Sequence, residues 1–140
     1  MRRAPVPCCL ALLTLLAACA SAPKEEVMLG GIALTQVLDG LATRTDQMLK
    51  GLQQGGSAAD AVQEARDIND GYDDLIYHAW KLPPEGQKEL AKRAGRQLPS
   101  VENLAYMLDG SQLEATLLPQ VEAMADKVKV LMVTPYKENP

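Results

Sequence analysis

From Leu34 onward, apolar residues recur in steps of three and four: Leu34, Val37, Leu38, Leu41, Met48, Leu49 and Leu52, with Thr45 completing the row. An α-helix brings such positions onto one face, whereas a half-buried strand needs strict alternation. The pattern therefore commits this stretch to an amphipathic helix with a single apolar stripe. Such a stripe is stable only when it packs against others. Gln53-Gln54-Gly55-Gly56 ends the first helix, with glycine supplying a left-handed cap, and Ser57 is placed to cap the next. That second helix carries Val62, Ala65, Ile68, Asn69, Tyr72, Leu75, Ile76 and Ala79 on one face. Leu82-Pro83-Pro84 stops it, because each proline restricts the residue before it and donates no backbone hydrogen bond.

Pro84 suits a first helical position, and Leu90, Ala91 and Ala94 continue the pattern as far as Gly95. A further piece from Ser100 presents Val101, Leu104, Ala105 and Leu108 before Asp109-Gly110, so the third element is expected to break near Leu98-Pro99. Ser111-Gln112-Leu113-Glu114 reads as a capping box opening the last helix. Its stripe is Leu113, Leu117, Val121, Met124, Val128, Leu131 and Met132, with Pro119 kinking or restarting it and Thr134-Pro135 ending it. Four helices joined by short connections predict an all-α fold, a small antiparallel (up-and-down) four-helix bundle with a broken third element. Composition agrees: Phe is absent, and Tyr72, Tyr77, Trp80, Tyr106 and Tyr136 are the only aromatic residues. Gly30, Gly31 and Gly40 are costly inside a first helix unless something packs closely there or its first turn frays.

The N-terminus has a different grammar. Met1-Arg2-Arg3 leads into an apolar run through Leu16, the charge and length pattern of a secretory signal peptide and too short for a transmembrane helix. The run closes on Leu16-Ala17-Ala18-Cys19, which resembles the lipobox of bacterial lipoproteins: a branched apolar residue, two small residues and a cysteine. The resemblance covers the first twenty or so residues. It implies that Cys19 is diacylated and becomes the first residue after cleavage, and that the chain is anchored to a membrane through its lipid. An ordinary export signal cut near Ala18-Cys19-Ala20 would instead release the chain into the periplasm. In such lipoproteins an aspartate after the cysteine favours inner-membrane retention; Ala20 stands there, which implies the cell outer membrane, with the periplasmic face preferred to the cell surface.

The expected organisation is residues 1–18 as signal peptide, 19–26 as lipidated tether, 27–134 as the helical domain and 135–140 as a tail. Cys8 and Cys9 leave with the signal, so Cys19 would be the one remaining thiol, and an internal disulfide or a paired-cysteine metal site is excluded. The seven residues from Ala20 to Glu26 reach roughly 25 Å when stretched, which holds the domain near the membrane surface. Residues 19–140 carry 12 Lys+Arg against 18 Asp+Glu, a net side-chain charge of −6 that argues against nucleic acid as a partner.

The most polar helical stretch, Ala65 to Trp80, contains Asp67, Asp70, Asp73 and Asp74. A calcium loop with Gly71 at its sixth position would place Arg66 and Ile68 at the first and third, so that frame fails, and no metal or cofactor is expected. Residues 66–74 are net acidic and 81–96 net basic, which suggests surface ion pairs of Lys92 with Asp73 and Asp74, and of Arg96 with Asp70, across a folded-back hairpin. His78 is the single histidine and lacks the context of a haem ligand. Ser57, Ser100 and Ser111 sit where helix caps are expected, and no nucleophile or phosphate-loop motif accompanies them. An enzyme is therefore not expected.

What these features favour is a binding or assembly module for a membrane-proximal protein. In format alone this is similar to the pilotins of secretion systems; a lipid-anchored immunity or inhibitor protein is the alternative. Partner contact is expected at Tyr77, His78, Trp80 and Tyr106, since Tyr77 and Trp80 lie off the core stripe and such residues anchor interfaces.

Overall fold

The computed structural model describes the backbone of residues 28–29 and all of residues 32–133. Within these residues the chain is an all-α bundle with one small addition. Four helices, α1 (Leu34–Gln53), α2 (Ala58–Ala79), α3 (Pro84–Leu108) and α4 (Leu118–Val133), follow a two-rung antiparallel ribbon, β1 (Met28–Leu29) and β2 (Ile32–Ala33). The ribbon packs against α1 and α2. Helix α1 thus begins at Leu34, beyond Gly30 and Gly31.

The predicted stripes are the core. Leu34, Leu38, Leu41, Ile68, Tyr72, Leu75, Leu90, Val101, Leu117, Met124 and Leu131 are all buried. The two polar members are tied in through their donors, while Asn69 Oδ1 is buried with no hydrogen-bond partner among the described residues. Thr45 donates its hydroxyl to the Leu41 carbonyl at 2.8 Å, and the Asn69 amide donates to the carbonyls of Ala65 (3.1 Å) and Gln120 (2.9 Å), tying α2 to α4.

Residue pairings fix how the helices lie. Leu41 abuts Gly71 and Arg44 bridges Glu64 at 2.7 Å, so α1 and α2 run antiparallel. Gly95 meets Met132, and Glu102 faces Lys129, so α3 and α4 do the same. Arg93 reaches Asp39 at 2.8 Å, and a cleft farther along joins Asp46 to Ser100, which makes α1 and α3 parallel neighbours. Asn69 with Gln120, and Asp73 with Lys127, make α2 and α4 parallel as well. The bundle is two antiparallel hairpins laid together, with α2 and α3 across the diagonal. One bond spans that diagonal: Gln97 donates to the buried Tyr72 hydroxyl.

This arrangement corrects several expectations. The ion pairs of Lys92 with Asp73 and Asp74, and of Arg96 with Asp70, do not form, because α2 does not flank α3; Lys127 of α4 takes Asp73 instead, at 3.1 Å. The third element is not broken. Helix α3 runs through Pro99, which lies on its exposed side, while the buried Ala94, Val101 and Leu104 hold both halves in the core. The last helix begins at Leu118, so Pro119 restarts the chain, and residues 111–117 form turns. The Ser111–Glu114 motif serves those turns: Ser111 Oγ accepts from the Leu113 amide at 3.1 Å, and Glu114 accepts from the Gly110 amide at 3.0 Å. Gly40 has nothing within 4 Å of a would-be Cβ, so no close approach explains it; the close approach is at Gly71, where Leu41 Cδ2 lies 2.6 Å from that point.

Candidate functional site

The α2–α3 connection is tight and built from backbone. Lys81 and Leu82 amides donate to the His78 and Ala79 carbonyls at 3.0 and 3.1 Å, and Leu82 turns inward to close the core. Gln87, buried at the start of α3, donates to the Trp80 carbonyl at 3.0 Å and the Pro83 carbonyl accepts its amide, which locks the corner. With Leu82 committed to the interior, the side chains just before it are left outside. Tyr77 is 65% exposed and Trp80 48%, as expected of residues off the stripe.

These two rings and Lys81 form one cluster. The Lys81 ammonium lies 5.1 Å from the Tyr77 ring centre and 5.8 Å from that of Trp80, within reach of cation–π attraction to both. His78 meets Tyr77 edge to face at 5.1 Å, and its Nδ1 is 3.3 Å from Lys81 Nζ. Lys81 is the member that reading for aromatic residues passes over; its position one residue after Trp80 was the available signal.

Tyr106 does not join them. It lies 22 residues beyond Pro84 on a continuous helix, roughly 33 Å along the axis at about 1.5 Å per residue. There, at 82% exposure, it stands beside the exposed Met107. The proposed contact residues are therefore split between the two ends of the bundle. Tyr72, by contrast, is wholly buried. Burial pushes its hydroxyl well above the ordinary tyrosine range, an effect partly opposed by the bond from Gln97. Cys19, with the segments read as signal peptide, tether and C-terminal tail, lies outside the described residues.

Two clefts lie between helices of the described residues. One of about 330 Å³ lies between α1 and α3, lined by Asp39, Asp46, Arg93, Arg96 and Gln97 among others. Arg93 is already engaged by Glu89 and Asp39, each at 2.8 Å; the bond to Glu89 raises the guanidinium's pKa and holds the Glu89 carboxyl below its usual range. The second cleft, about 320 Å³, lies between the end of α1 and the start of α2, where Met48, Leu52 and Ala61 meet Gln47, Asp60 and Glu64. The aspartates of α2 are spread along its exposed side: Asp67 accepts from Gln63 at 3.0 Å and Asp73 pairs with Lys127. Among the described residues no group of three His, Cys, Asp or Glu side chains is placed to hold a metal, and no helix is long and apolar enough to cross a membrane.

Comparison with protein-family models, curated proteins and solved structures finds no match to this chain.

Proposed function

We propose that the chain is a lipoprotein held at the outer membrane through Cys19, whose helical domain binds a membrane-proximal protein as an adaptor or assembly module. The observation that carries this reading is the half of the bundle remote from the N-terminal ribbon. It offers the cleft lined by Met48, Leu52 and Ala61, and at the same end exposes the adjacent Tyr106 and Met107. A cleft in which Met48, Leu52 and Ala61 lie among Gln47, Asp60 and Glu64, together with a large amphipathic ring, offers the mixed apolar and polar contacts by which partner helices are received. The lipobox resemblance supplies the anchor, and Ala20 after the cysteine supports the outer membrane as its location.

Two substitutions test the reading separately. Cys19→Ser should abolish acylation and processing and release the domain from the membrane; a variant that matures to the same length and stays bound refutes the anchor. A photo-crosslinking residue in place of Tyr106 should capture one membrane-proximal protein in native membranes, identified by mass spectrometry, and Met107→Asp should remove that product. An anchored, folded protein that captures nothing from this position would place the binding surface elsewhere. The inhibitor reading has one observation in its favour: Asp70 and Asp74 are exposed on α2 with no ion-pair partner among the described residues, an acidic edge suited to a basic cleft. A captured partner with such a cleft would select that reading.

A further inference from the structure

Exposed apolar side chains are distributed unequally along this bundle. Among the described residues seven large ones are exposed: Ile32, Tyr77, Trp80, Tyr106, Met107, Val130 and Val133. The parallel register of α2 and α4, set by Asn69 with Gln120 and Asp73 with Lys127, puts Val130 and Val133 level with the last turn of α2, where Tyr77 and Trp80 stand. Ile32 precedes the first turn of α1, and the antiparallel register of α1 and α2 brings that turn to the same end. Five of the seven therefore gather at the end where the chain enters from its N-terminal segment.

That end is also the one a lipid on Cys19 would hold closest to a bilayer. Eight residues separate Cys19 from Met28, and nine Cα steps span at most roughly 30 Å. The other end lies at least that much farther away along the axis. The chemistry of the near end matches a membrane interface as well. Trp and Tyr rings sit at headgroup depth with an apolar body and a polar edge, and a lysine can lay its stem among them while its ammonium stays in water. Tyr77, Trp80 and Lys81 supply that set in contact. In sequence the corner's flanking charges, Lys81 and Lys88 against Asp74 and Glu85, balance in sign, so attraction there does not depend on anionic lipid.

We propose that the α2–α3 corner seats on the bilayer surface, with Trp80 and Tyr77 in the headgroup layer, Ile32 and Val133 beside them, and Lys81 at the lipid phosphates. The proposal rests on the lipid-anchor reading and deepens it: the domain is not a body on a free string but has a fixed face to the membrane and a fixed face away from it.

Trp80 is the only tryptophan in the chain, so its fluorescence reports on this corner alone. The full-length mature protein is reconstituted into phosphatidylcholine vesicles, with acylation of Cys19 verified by mass. Its emission should shift to shorter wavelength and lose most of its intensity when the lipid acyl chains are brominated, at low and high salt alike. Tyr77→Asp and Val133→Asp should each restore much of the emission while helicity is unchanged. An acylated protein whose Trp80 emits as in water and is not quenched overturns the seating and leaves the anchor standing. Quenching or shift that vanishes when the protein is diluted among excess vesicles assigns the corner to a second copy and overturns it too. Absence of acyl chains on Cys19 refutes the anchor, and the seating with it.

Discussion

The two ends of the bundle are finished by different chemistry. At the end remote from the ribbon, each turn is closed by polar side chains or by glycines with left-handed backbone. Ser57 Oγ accepts from the Asp60 amide at 3.3 Å, Gly55 and Gly110 have φ of 86° and 77°, and Ser111 Oγ donates to the Leu108 carbonyl at 2.6 Å. Glu114 completes that end by accepting from the Gly110 amide, the bond that holds its carboxyl below the usual range. At the ribbon end neither helix start has a side-chain cap: Ala33 precedes α1 and Pro83 precedes α3. There the Pro83 carbonyl accepts the Gln87 amide, the Gln87 side chain donates to the Trp80 carbonyl, and the exposed side chains include Tyr77, Trp80, Val130 and Val133. One end closes its turns with polar side chains and glycine; the other closes them with backbone and carries five of the seven large exposed apolar side chains among the described residues. The difference is visible without knowing what either end touches.

The comparison makes a strong claim about the core and a weaker one about the caps. Both ends should carry equal apolar weight. Leu82 at the ribbon end and Leu117 at the remote end are each buried, so Leu82→Ala and Leu117→Ala should each lower stability by about 2–5 kcal/mol in urea unfolding. A loss confined to one of them would show that the other end is frayed rather than closed.

The next effect concerns the bond that crosses the diagonal between α2 and α3, between the two ends. Burial raises the folded-state pKa of Tyr72 above its ordinary value of 10, so the neutral phenol is the form the fold favours. Its stabilisation is complete below that value and declines as the pH rises past it, by up to about 1.4 kcal/mol per pH unit. Tyr72→Phe should remove this term from the alkaline limb of the stability profile while losing about 1 kcal/mol at neutral pH through the missing bond to Gln97. An unchanged alkaline limb would mean that other groups govern it.

The smallest effect separates the caps. Ser57→Ala at the remote end should lower stability by about 1 kcal/mol, seen as a lower thermal midpoint, because one amide loses its acceptor. Ala33→Ser at the ribbon end should by contrast change little in water, and a large gain there would mean that end, too, lacks only a polar cap.

Much of this was legible in the sequence, for reasons that can be assigned residue by residue. The stripes, the Ser57 cap, the helix start at Pro84 and the burial of Thr45 and Asn69 follow from period and local chemistry, which act over one turn. The continuity of α3 did not follow, since Pro99 forbids one backbone bond locally while the buried Ala94, Val101 and Leu104 override that loss from a distance. The diagonal placement of α2 and α3 was equally out of reach. Exposed charges suggested that they pair, but such pairs are worth about 0–1 kcal/mol and do not outvote the fit of core side chains. Gly71, which matters because Leu41 sits where a Cβ would be, looked like the sixth position of a failed calcium loop. Of the candidate site, exposure at Tyr77 and Trp80 was readable from their position off the stripe; the separation of Tyr106 was not, because it depends on α3 being unbroken.

The placement of α2 and α3 across the diagonal has a consequence for association. Each hairpin is complete in itself, and the two meet through the α1–α3 and α2–α4 faces, joined by the short corner at residues 80–83. Every contact between hairpins is thus available to hairpins from two different chains, should the corner straighten. What selects docking within one chain is the local concentration that so short a connection imposes, of millimolar order. A concentration of second copies that approaches that order, rather than any change in sequence, is the condition under which this fold would exchange halves.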